Sequence, residues 1–177
     1  MRIIAIIFFI FSTLYACSDP VAVAPLGSRE VNNDLLDFNR EYINYESNAI
    51  DTLLKIKEWQ FDKSKTGLRY EILPDSCLGY KPRVEDLVRL SYSVSDIHDK
   101  QFYNYKDTVI HIEKDYTVNG LIEGVKMMCE GDTATFVLPS YLAYDIKGDK
   151  NKIGSREVLI YRVKINNIIK NTKNDKK

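Results

Sequence analysis

Alternating apolar and polar positions predict β-strands in most of the chain beyond residue 66. Val88, Leu90, Tyr92 and Val94 alternate with polar residues, which is the period-two pattern of a half-buried strand. The same pattern recurs in three later stretches: Ile110 and Ile112; Ala134, Phe136 and Leu138; and Leu159, Tyr161, Val163 and Ile165. Segment 97–107 breaks the pattern and is predicted to bulge or turn.

One short stretch, VNGLIEGVKMMCEG at residues 118–131, has a helical period instead. Leu121, Val125 and Met128 recur at i, i+4 and i+7 and therefore share one helix face. We expect Asn119 to cap its first turn and Gly131 to end it. A single short helix among strands has to bury its apolar face against the sheet. The sequence therefore predicts an α+β fold, with a twisted antiparallel β-sheet wrapped on one short helix.

A longer helix is predicted before this domain, at residues 30–61. Apolar side chains recur there at spacings of three and four: Val31, Leu35, Phe38, Tyr42, Tyr45, Ala49, Leu53 and Ile56. Three arrangements fit such a stripe. The helix can pack on its own domain, pair with a second copy as a coiled coil, or act as a spacer. The first is favoured over the second, because Leu36, Ile43 and Leu54 widen the apolar face.

The N-terminus has the features of a lipoprotein leader. A basic Arg2 precedes an apolar run that is too short to span a bilayer, and LYAC follows it. Residues 1–16 are predicted to be a signal peptide and Cys17 the acylated N-terminus, which anchors the protein to a membrane. An ordinary signal peptide is the alternative. Ser18 at the second mature position favours the outer membrane, facing the periplasm.

The remaining boundaries follow from composition. Residues 17–29 contain Pro20, Pro25 and Gly27 and are predicted to be a flexible tether. Residues 66–169 form the folded domain, and the polar residues 170–177 form a disordered tail. Cys77 and Cys129 remain after cleavage. They either pair in an oxidising compartment or are two small buried thiols, and the second interpretation is favoured.

Charge and residue types exclude several functions. The chain has 25 basic and 25 acidic residues and no basic stripe interleaved with aromatics, which argues against a nucleic-acid partner. No nucleophile-plus-base arrangement, metal-ligand spacing or glycine-rich phosphate loop is present, so neither a metal nor a cofactor is expected. His98 and His111, the two histidines, are interpreted as surface residues.

Four segments in order, VNGLIEGVKMM, GDTATFVLP, the Ala143–Tyr144 pair and IGSREVLIYRVKI, resemble the second half of an FKBP-type peptidyl-prolyl cis-trans isomerase. The run PSYLAYDIKGDKNKIG is similar to the lipoprotein branch of that family associated with gliding motility. The resemblance covers residues 66–169. It implies an FKBP-like fold and rotation of X–Pro bonds in an apolar pocket, without acid–base or covalent chemistry. It also implies proline-containing protein clients exported to the cell envelope.

The resemblance further implies a set of site residues. Tyr144, Val118 and Phe102 match catalytic positions, with Tyr144 as a hydroxyl donor and Val118 as a backbone N–H donor. The substrate-binding positions are matched by Tyr92, Tyr103, Leu121, Ile153 and Tyr161. Each of these residues, taken singly, is equally compatible with a packed core.

Three positions depart from the family pattern. Leu121 replaces the usual tryptophan floor, Tyr103 replaces an aspartate, and Thr108 stands where an aromatic wall residue is usual. These changes favour an alternative function, a catalytically weak FKBP-like binding or chaperone module of an envelope assembly, which includes gliding machinery. Several bacterial relatives dimerise through an N-terminal helical region, so the resemblance also implies a possible homodimer.

Overall fold

The computed structural model describes residues 28–74, 79–115 and 117–171. The chain divides into two compact units, residues 1–41 and 42–177. The predicted signal peptide, Cys17, the tether up to residue 27, Cys77 and residues 172–177 lie outside the described residues.

The elements follow in this order: helix α1 (Ser28–Ile56), strands β1 (Asp62–Lys63), β2 (Arg69–Leu73), β3 (Leu87–Ser95) and β4 (Gln101–His111), helix α2 (Asn119–Val125), strand β5 (Thr133–Leu138), the short 3-10 helices Ser140–Leu142 and Asp145–Lys147, and strand β6 (Leu159–Ile169).

The strands form one antiparallel sheet in the order β1-β2-β5-β6-β3-β4. Residues pointing to one face of β6, among them Leu159, Tyr161, Val163 and Ile165, are buried in one core cluster with Leu121 and Val125 of α2. The predicted α+β class is therefore confirmed, with an antiparallel sheet on a short helix and a long helix before it.

Helix α2 lies close to the sheet because it presents glycines to β5. A Cβ added at Gly120 would lie 2.7 Å from Leu138, and one at Gly124 would lie 2.5 Å from the Phe136 ring. Both distances are too short for real contacts, so these positions admit no side chain. The close approach buries Leu121 and Val125 completely.

The predicted ends of α2 are wrong. The N-cap is Val118, with φ −68° and ψ 128°, because its carbonyl already accepts the N–H groups of Leu121 and Ile122 at 3.0 and 3.2 Å. No side chain caps this end of the helix. Asn119 thus lies inside the helix. The helix ends at Val125 with Lys126 as C-cap, and Gly131, at φ 90°, turns the chain into β5 by donating its N–H to Ile165.

Segment 97–107 contains the turn and the irregular pairing predicted for it, although its residues from 101 onward belong to strand β4. The turn is confined to residues 96–100, where the Asp96 carboxylate accepts the N–H groups of His98 and Lys100 at 2.8 and 2.9 Å. Beyond it β4 pairs with β3 through two register irregularities, at Leu90/Tyr92 and Val94/Ser95. The polar side chain of Asp96 closes a hairpin that alternation alone did not reveal.

The part of α1 within the second unit packs on the outer face of the sheet. Ile50 and Leu54 form a second buried cluster with Val137 and Ile160. Nearby, the buried Arg69 guanidinium contacts Asp51 at 2.7 and 3.0 Å. Residues 42–56 therefore pack on their own domain, the first of the three predicted arrangements.

Trp59 and Phe61 follow α1 and stack with ring centroids 5.2 Å apart, against that second cluster. The N-terminal unit contains, among described residues, the first part of α1, where Arg40 and Asp37 form an exposed ion pair of 3.0 Å. No helix in the described ranges is both long and apolar enough to cross a membrane.

The favoured interpretation of the cysteines as free thiols is wrong for Cys129. This residue is disulfide-bonded and 2% exposed, just beyond α2. Its bonding partner lies outside the described residues. The separation of cysteines along a sequence does not determine their separation in space, which is why the pattern favoured the wrong alternative.

Candidate active site

The structure brings all the site residues predicted within the domain into one region, on the face of the sheet that carries α2. Five of them belong to the core cluster itself: Phe102, Val118, Leu121, Ile153 and Tyr161. Three are partly buried and pack against it: Tyr92, Tyr103 and Tyr144. They come from β3, β4, α2, β6 and the loops between β5 and β6, so only the tertiary fold assembles them. Their functional roles remain predictions.

Four tyrosine rings form a continuous row from the core to the surface. Tyr161 is 1% exposed and stacks on Tyr92 with centroids 5.9 Å apart. Tyr92 contacts Tyr105, its partner across the β3–β4 ladder, at 4.9 Å, and Tyr105 contacts Tyr103 at 5.8 Å. These separations are typical of attractive ring pairs. The row presents a broad apolar surface with hydroxyl groups along it.

The hydroxyl groups of Tyr144 and Tyr161 are neighbours, and each affects the ionisation of the other. Burial raises the pKa of Tyr161 and, to a smaller extent, the pKa of Tyr144. Burial, with the neighbouring Tyr105 and Tyr144 hydroxyls, raises the pKa of Tyr92 to about 12. These phenols therefore remain protonated at neutral pH, and they can donate hydrogen bonds but not act as bases.

A loop carrying Ile153 is tied to the row of rings through Asp149. The Tyr103 hydroxyl donates a hydrogen bond to Asp149 Oδ2. Asp149 Oδ1 accepts the backbone N–H groups of Asn151, Lys152 and Ile153 at 2.9, 2.9 and 2.8 Å. Desolvation opposes ionisation, but these hydrogen bonds outweigh it and lower the pKa of Asp149 to about 2. The charged carboxylate thus organises the loop and orients Tyr103.

Lys152 adds a second connection between this loop and β4. Its ammonium donates to the Phe102 carbonyl at 3.1 Å and lies 5.0 Å from the centre of the Tyr103 ring. The ammonium therefore lies at the rim of the aromatic surface.

The structure clarifies the three departures from the family pattern. Leu121 is completely buried and contributes no ring. Thr108 pairs with Leu90 in the ladder, whereas Tyr105 lies opposite Tyr92, so Tyr105 supplies an aromatic wall that Thr108 does not. At the third position a carboxylate is again present, because Asp149 reaches Tyr103 from another loop.

Sequence reasoning therefore missed Tyr105 and Asp149. The signal for Tyr105 was the turn centred near His98, since a hairpin with that centre pairs residue 92 with residue 105. Asp149 had no comparable signal, because its contact with Tyr103 joins segments 46 residues apart.

A cavity of about 670 Å³ borders the row of rings but does not define this site. It shares Tyr92 and Tyr105 with the row, but its lining is otherwise mainly polar, including Ser91, Arg162 and Lys164. Arg162 and Lys164 are exposed and alternate with buried residues of β6, so this cavity opens on the sheet face opposite α2. The aromatic row is the better candidate because it combines apolar area with hydroxyl donors.

Within the described ranges no group of three or more His, Cys, Asp or Glu residues could hold a metal ion. The arrangement offers ring surfaces, neutral hydroxyls and one strongly ionised carboxylate. It is suited to bind an apolar ring and to donate a hydrogen bond to a carbonyl.

Comparisons with known proteins agree with this architecture. A model of the FKBP-type peptidyl-prolyl cis-trans isomerase family matches residues 79–166. A probable FKBP-type peptidyl-prolyl cis-trans isomerase FkpA of Neisseria meningitidis serogroup B is 32% identical over 102 residues. That match covers 56% of this chain, and the chain spans only 37% of the length of that curated relative.

Two solved structures share the fold. FkpA from Escherichia coli has a TM-score of 0.61 and 20% identity, with 95% of this chain and 81% of that chain covered. A peptidyl-prolyl cis-trans isomerase from Pseudomonas syringae has a TM-score of 0.60 and 17% identity, with 72% and 96% covered. At these identities the likeness concerns the fold alone.

Proposed function

The chain belongs, through residues 79–166, to the FKBP-type peptidyl-prolyl cis-trans isomerase family, and on that premise we propose that it catalyses cis–trans isomerisation of X–Pro peptide bonds. The observation that carries the proposal is the tyrosine row with the Tyr144 hydroxyl beside it. These groups match what the reaction requires.

The barrier to rotation about the amide is ~18–20 kcal/mol, because resonance gives its C–N bond double-bond character. An apolar aromatic surface disfavours the charge-separated resonance form and therefore favours the twisted amide. The proline ring packs against Tyr92 and Tyr105, and Tyr144 donates to a substrate carbonyl. No proton is transferred, which agrees with hydroxyls whose pKa values are raised by burial.

The test is an isomerisation assay on a short X–Pro peptide, by protease coupling or by exchange NMR, with the chain from residue 18 onward. Wild type should accelerate isomerisation, and Tyr92→Ala should reduce kcat/KM roughly tenfold or more by removing the centre of the row. Tyr70→Ala is the matched control. Tyr70 also packs against the core cluster but lies on β2, outside the row. Equal loss in both variants, or an inactive wild type, would refute the proposal.

One observation favours the second candidate, a binding or chaperone module with weak catalysis. Leu121, Tyr161 and Phe102 are at most 5% exposed, so the apolar surface is closed at its base. A shallow surface can hold a proline-containing chain without enforcing the twisted geometry. Micromolar binding of such peptides by calorimetry, together with no acceleration in the assay, would support this candidate over the enzyme.

We further propose that the protein acts on exported proteins at the cell envelope, held by a lipid on Cys17. The support is the leader pattern at residues 1–17. Slow X–Pro isomerisation limits the folding of many such clients. Cys17→Ser should move the protein from the membrane fraction to the soluble fraction, and Ser18→Ala should not. Continued membrane attachment of Cys17→Ser would contradict the anchor.

A homodimer through α1 is part of the same proposal. Leu35 and Leu36 in the N-terminal unit are 56% and 60% exposed, which leaves apolar area available to a second copy. Sedimentation should show a dimer for wild type and a monomer for Leu35→Glu. A wild-type monomer at micromolar concentration would exclude this arrangement.

A further inference from the structure

One face of α1 continues beyond the apolar cluster on the sheet. Tyr42, Glu46, Ile50 and Leu54 are spaced by four residues and so share this face. Ile50 and Leu54 pack against Val137 and Ile160, which orients the helix on the sheet. Tyr42 and Glu46 are therefore directed to the end of β5, where the loop carrying Tyr144 begins.

Glu46 contacts Ser140, near the start of that loop. Its Oε2 accepts the Ser140 N–H at 3.1 Å, and the two residues are 4% and 1% exposed. Ser140 begins a tight turn, closed by the N–H of Ala143 donating to the Ser140 carbonyl at 2.9 Å. Tyr144 follows at once. The contact with Glu46 therefore holds the start of the turn that leads to Tyr144.

Tyr42 acts on the other flank of the same loop. The Arg156 guanidinium lies 4.0 Å from the centre of the Tyr42 ring, a cation–π contact. The backbone N–H of Arg156 donates to the carbonyl of Asp145 at 2.8 Å, and Asp145 directly follows Tyr144. The helix thus holds the chain on both sides of Tyr144.

The Glu46 contact is costly for the fold, which suggests that it has another role. In the described part of the chain, neither Glu46 Oε1 nor Ser140 Oγ makes a well-directed hydrogen bond, although the Ser140 hydroxyl is close enough to favour the charged form of Glu46. A half-satisfied buried carboxylate destabilises a protein compared with an apolar residue. Burial, and to a smaller extent the Asp145 carboxylate, raise the pKa of Glu46. The hydrogen bonds from Ser140 and the positive charge of Arg156 lower that pKa, but burial is the largest cause.

We propose that Glu46 is a positioning residue for Tyr144, supported by Tyr42, so that α1 is part of the catalytic unit although the family match begins at residue 79. The inference rests on the proposed isomerase function. Its consequence is that the sheet and α2 alone make an incomplete enzyme, because the loop that carries the hydroxyl donor lacks its external support.

The experiment compares kcat/KM for an X–Pro peptide in variants of α1, at a temperature where circular dichroism shows each to be folded. Glu46→Leu should lower kcat/KM roughly ten- to a hundredfold, mainly through kcat, because small displacements of a reacting group have large effects. Glu46→Gln keeps an acceptor for the Ser140 N–H and should stay within about twofold of wild type. The Ser140 amide should exchange with deuterium faster in Glu46→Leu only.

Two controls separate positioning from general stability. Asp51→Asn weakens the ion pair that joins Asp51 of α1 to Arg69 of β2 without changing the Glu46–Ser140 contact, and it should leave kcat/KM within about twofold. If Glu46→Leu does not fold, Tyr42→Ala decides, because Tyr42 is only partly buried. It should lower kcat/KM several-fold, while Tyr45→Ala, at a position 72% exposed, should not.

The outcomes are distinct. An inactive wild type would overturn the proposed function. If wild type is active and the Glu46→Leu and Tyr42→Ala variants keep its kcat/KM, only the role of α1 is overturned. A loss of kcat/KM in Asp51→Asn as large as that in Glu46→Leu would also overturn that role.

Discussion

Replacing Tyr144 with phenylalanine tests both the stability and the chemistry of the site. The change removes the hydroxyl that neighbours the Tyr161 hydroxyl and is its expected hydrogen-bond partner. Tyr161 is 1% exposed, so water does not replace that partner. An unsatisfied buried hydroxyl costs ~1–3 kcal/mol, and Tyr144→Phe should lower the free energy of unfolding by about that amount.

The reverse substitution should be milder. Tyr161→Phe removes the deep hydroxyl, and the partly buried Tyr144 hydroxyl can turn to water, so the expected cost is about 1 kcal/mol or less. The double variant leaves no orphaned group. It should be more stable than Tyr144→Phe alone, with a coupling energy of ~1–2 kcal/mol.

Activity should follow a different order. Tyr144→Phe removes the proposed donor to the substrate, and a neutral hydrogen bond of ~1–1.5 kcal/mol corresponds to roughly a tenfold loss in kcat/KM. Tyr161→Phe should keep most of the activity, and the double variant should be as slow as Tyr144→Phe.

Urea denaturation monitored by the fluorescence of Trp59, the single tryptophan, gives the stabilities, with the disulfide kept intact. The isomerisation assay gives the rates. Additive stability effects would refute the shared hydrogen bond, and an unchanged kcat/KM in Tyr144→Phe would refute its role as donor.

Three further substitutions test the surroundings of the site. Gly124→Ala forces a Cβ to within 2.5 Å of the Phe136 ring and should destabilise the fold by ~1–3 kcal/mol in urea denaturation; an unchanged midpoint would contradict the close helix–sheet approach. Asp149→Ala removes the acceptor of the Tyr103 hydroxyl and of three loop amides. KM should therefore rise several-fold, with a smaller change in kcat. An unaltered KM would count against an organised loop. Burial raises the pKa of Glu46, so wild type loses stability as the pH rises through that pKa and the carboxyl group ionises. Glu46→Gln should therefore stabilise the protein more at about pH 8 than at about pH 4. The opposite trend would show that the carboxylate is favourably paired.

Periodicity in the sequence was sufficient for the fold class and for most of the strands, but not for the hairpin of β3 and β4. The strands alternate and the α2 face repeats because each element has to bury one side, and this requirement is local. Its limits appear at the ends of α2, where Asn119 and Gly131 have suitable residue types but the backbone at Val118 and Lys126 takes the cap positions. Cap chemistry alone does not determine which of several adjacent residues enters the helix.

The residues of the candidate site were predictable only as matches to a family pattern. That pattern contained Tyr92, Tyr144 and Tyr161, which do lie together, but not Tyr105, because its contact depends on the register of a hairpin.

The tertiary structure alone decided the remaining contacts, those of Asp149 with Tyr103 and of Glu46 with Ser140, and the disulfide at Cys129. The physical reason is that periodicity reports which side of an element is buried, whereas such contacts join side chains from segments far apart in the sequence. Their distances are determined by how the sheet, the loops and α1 pack together.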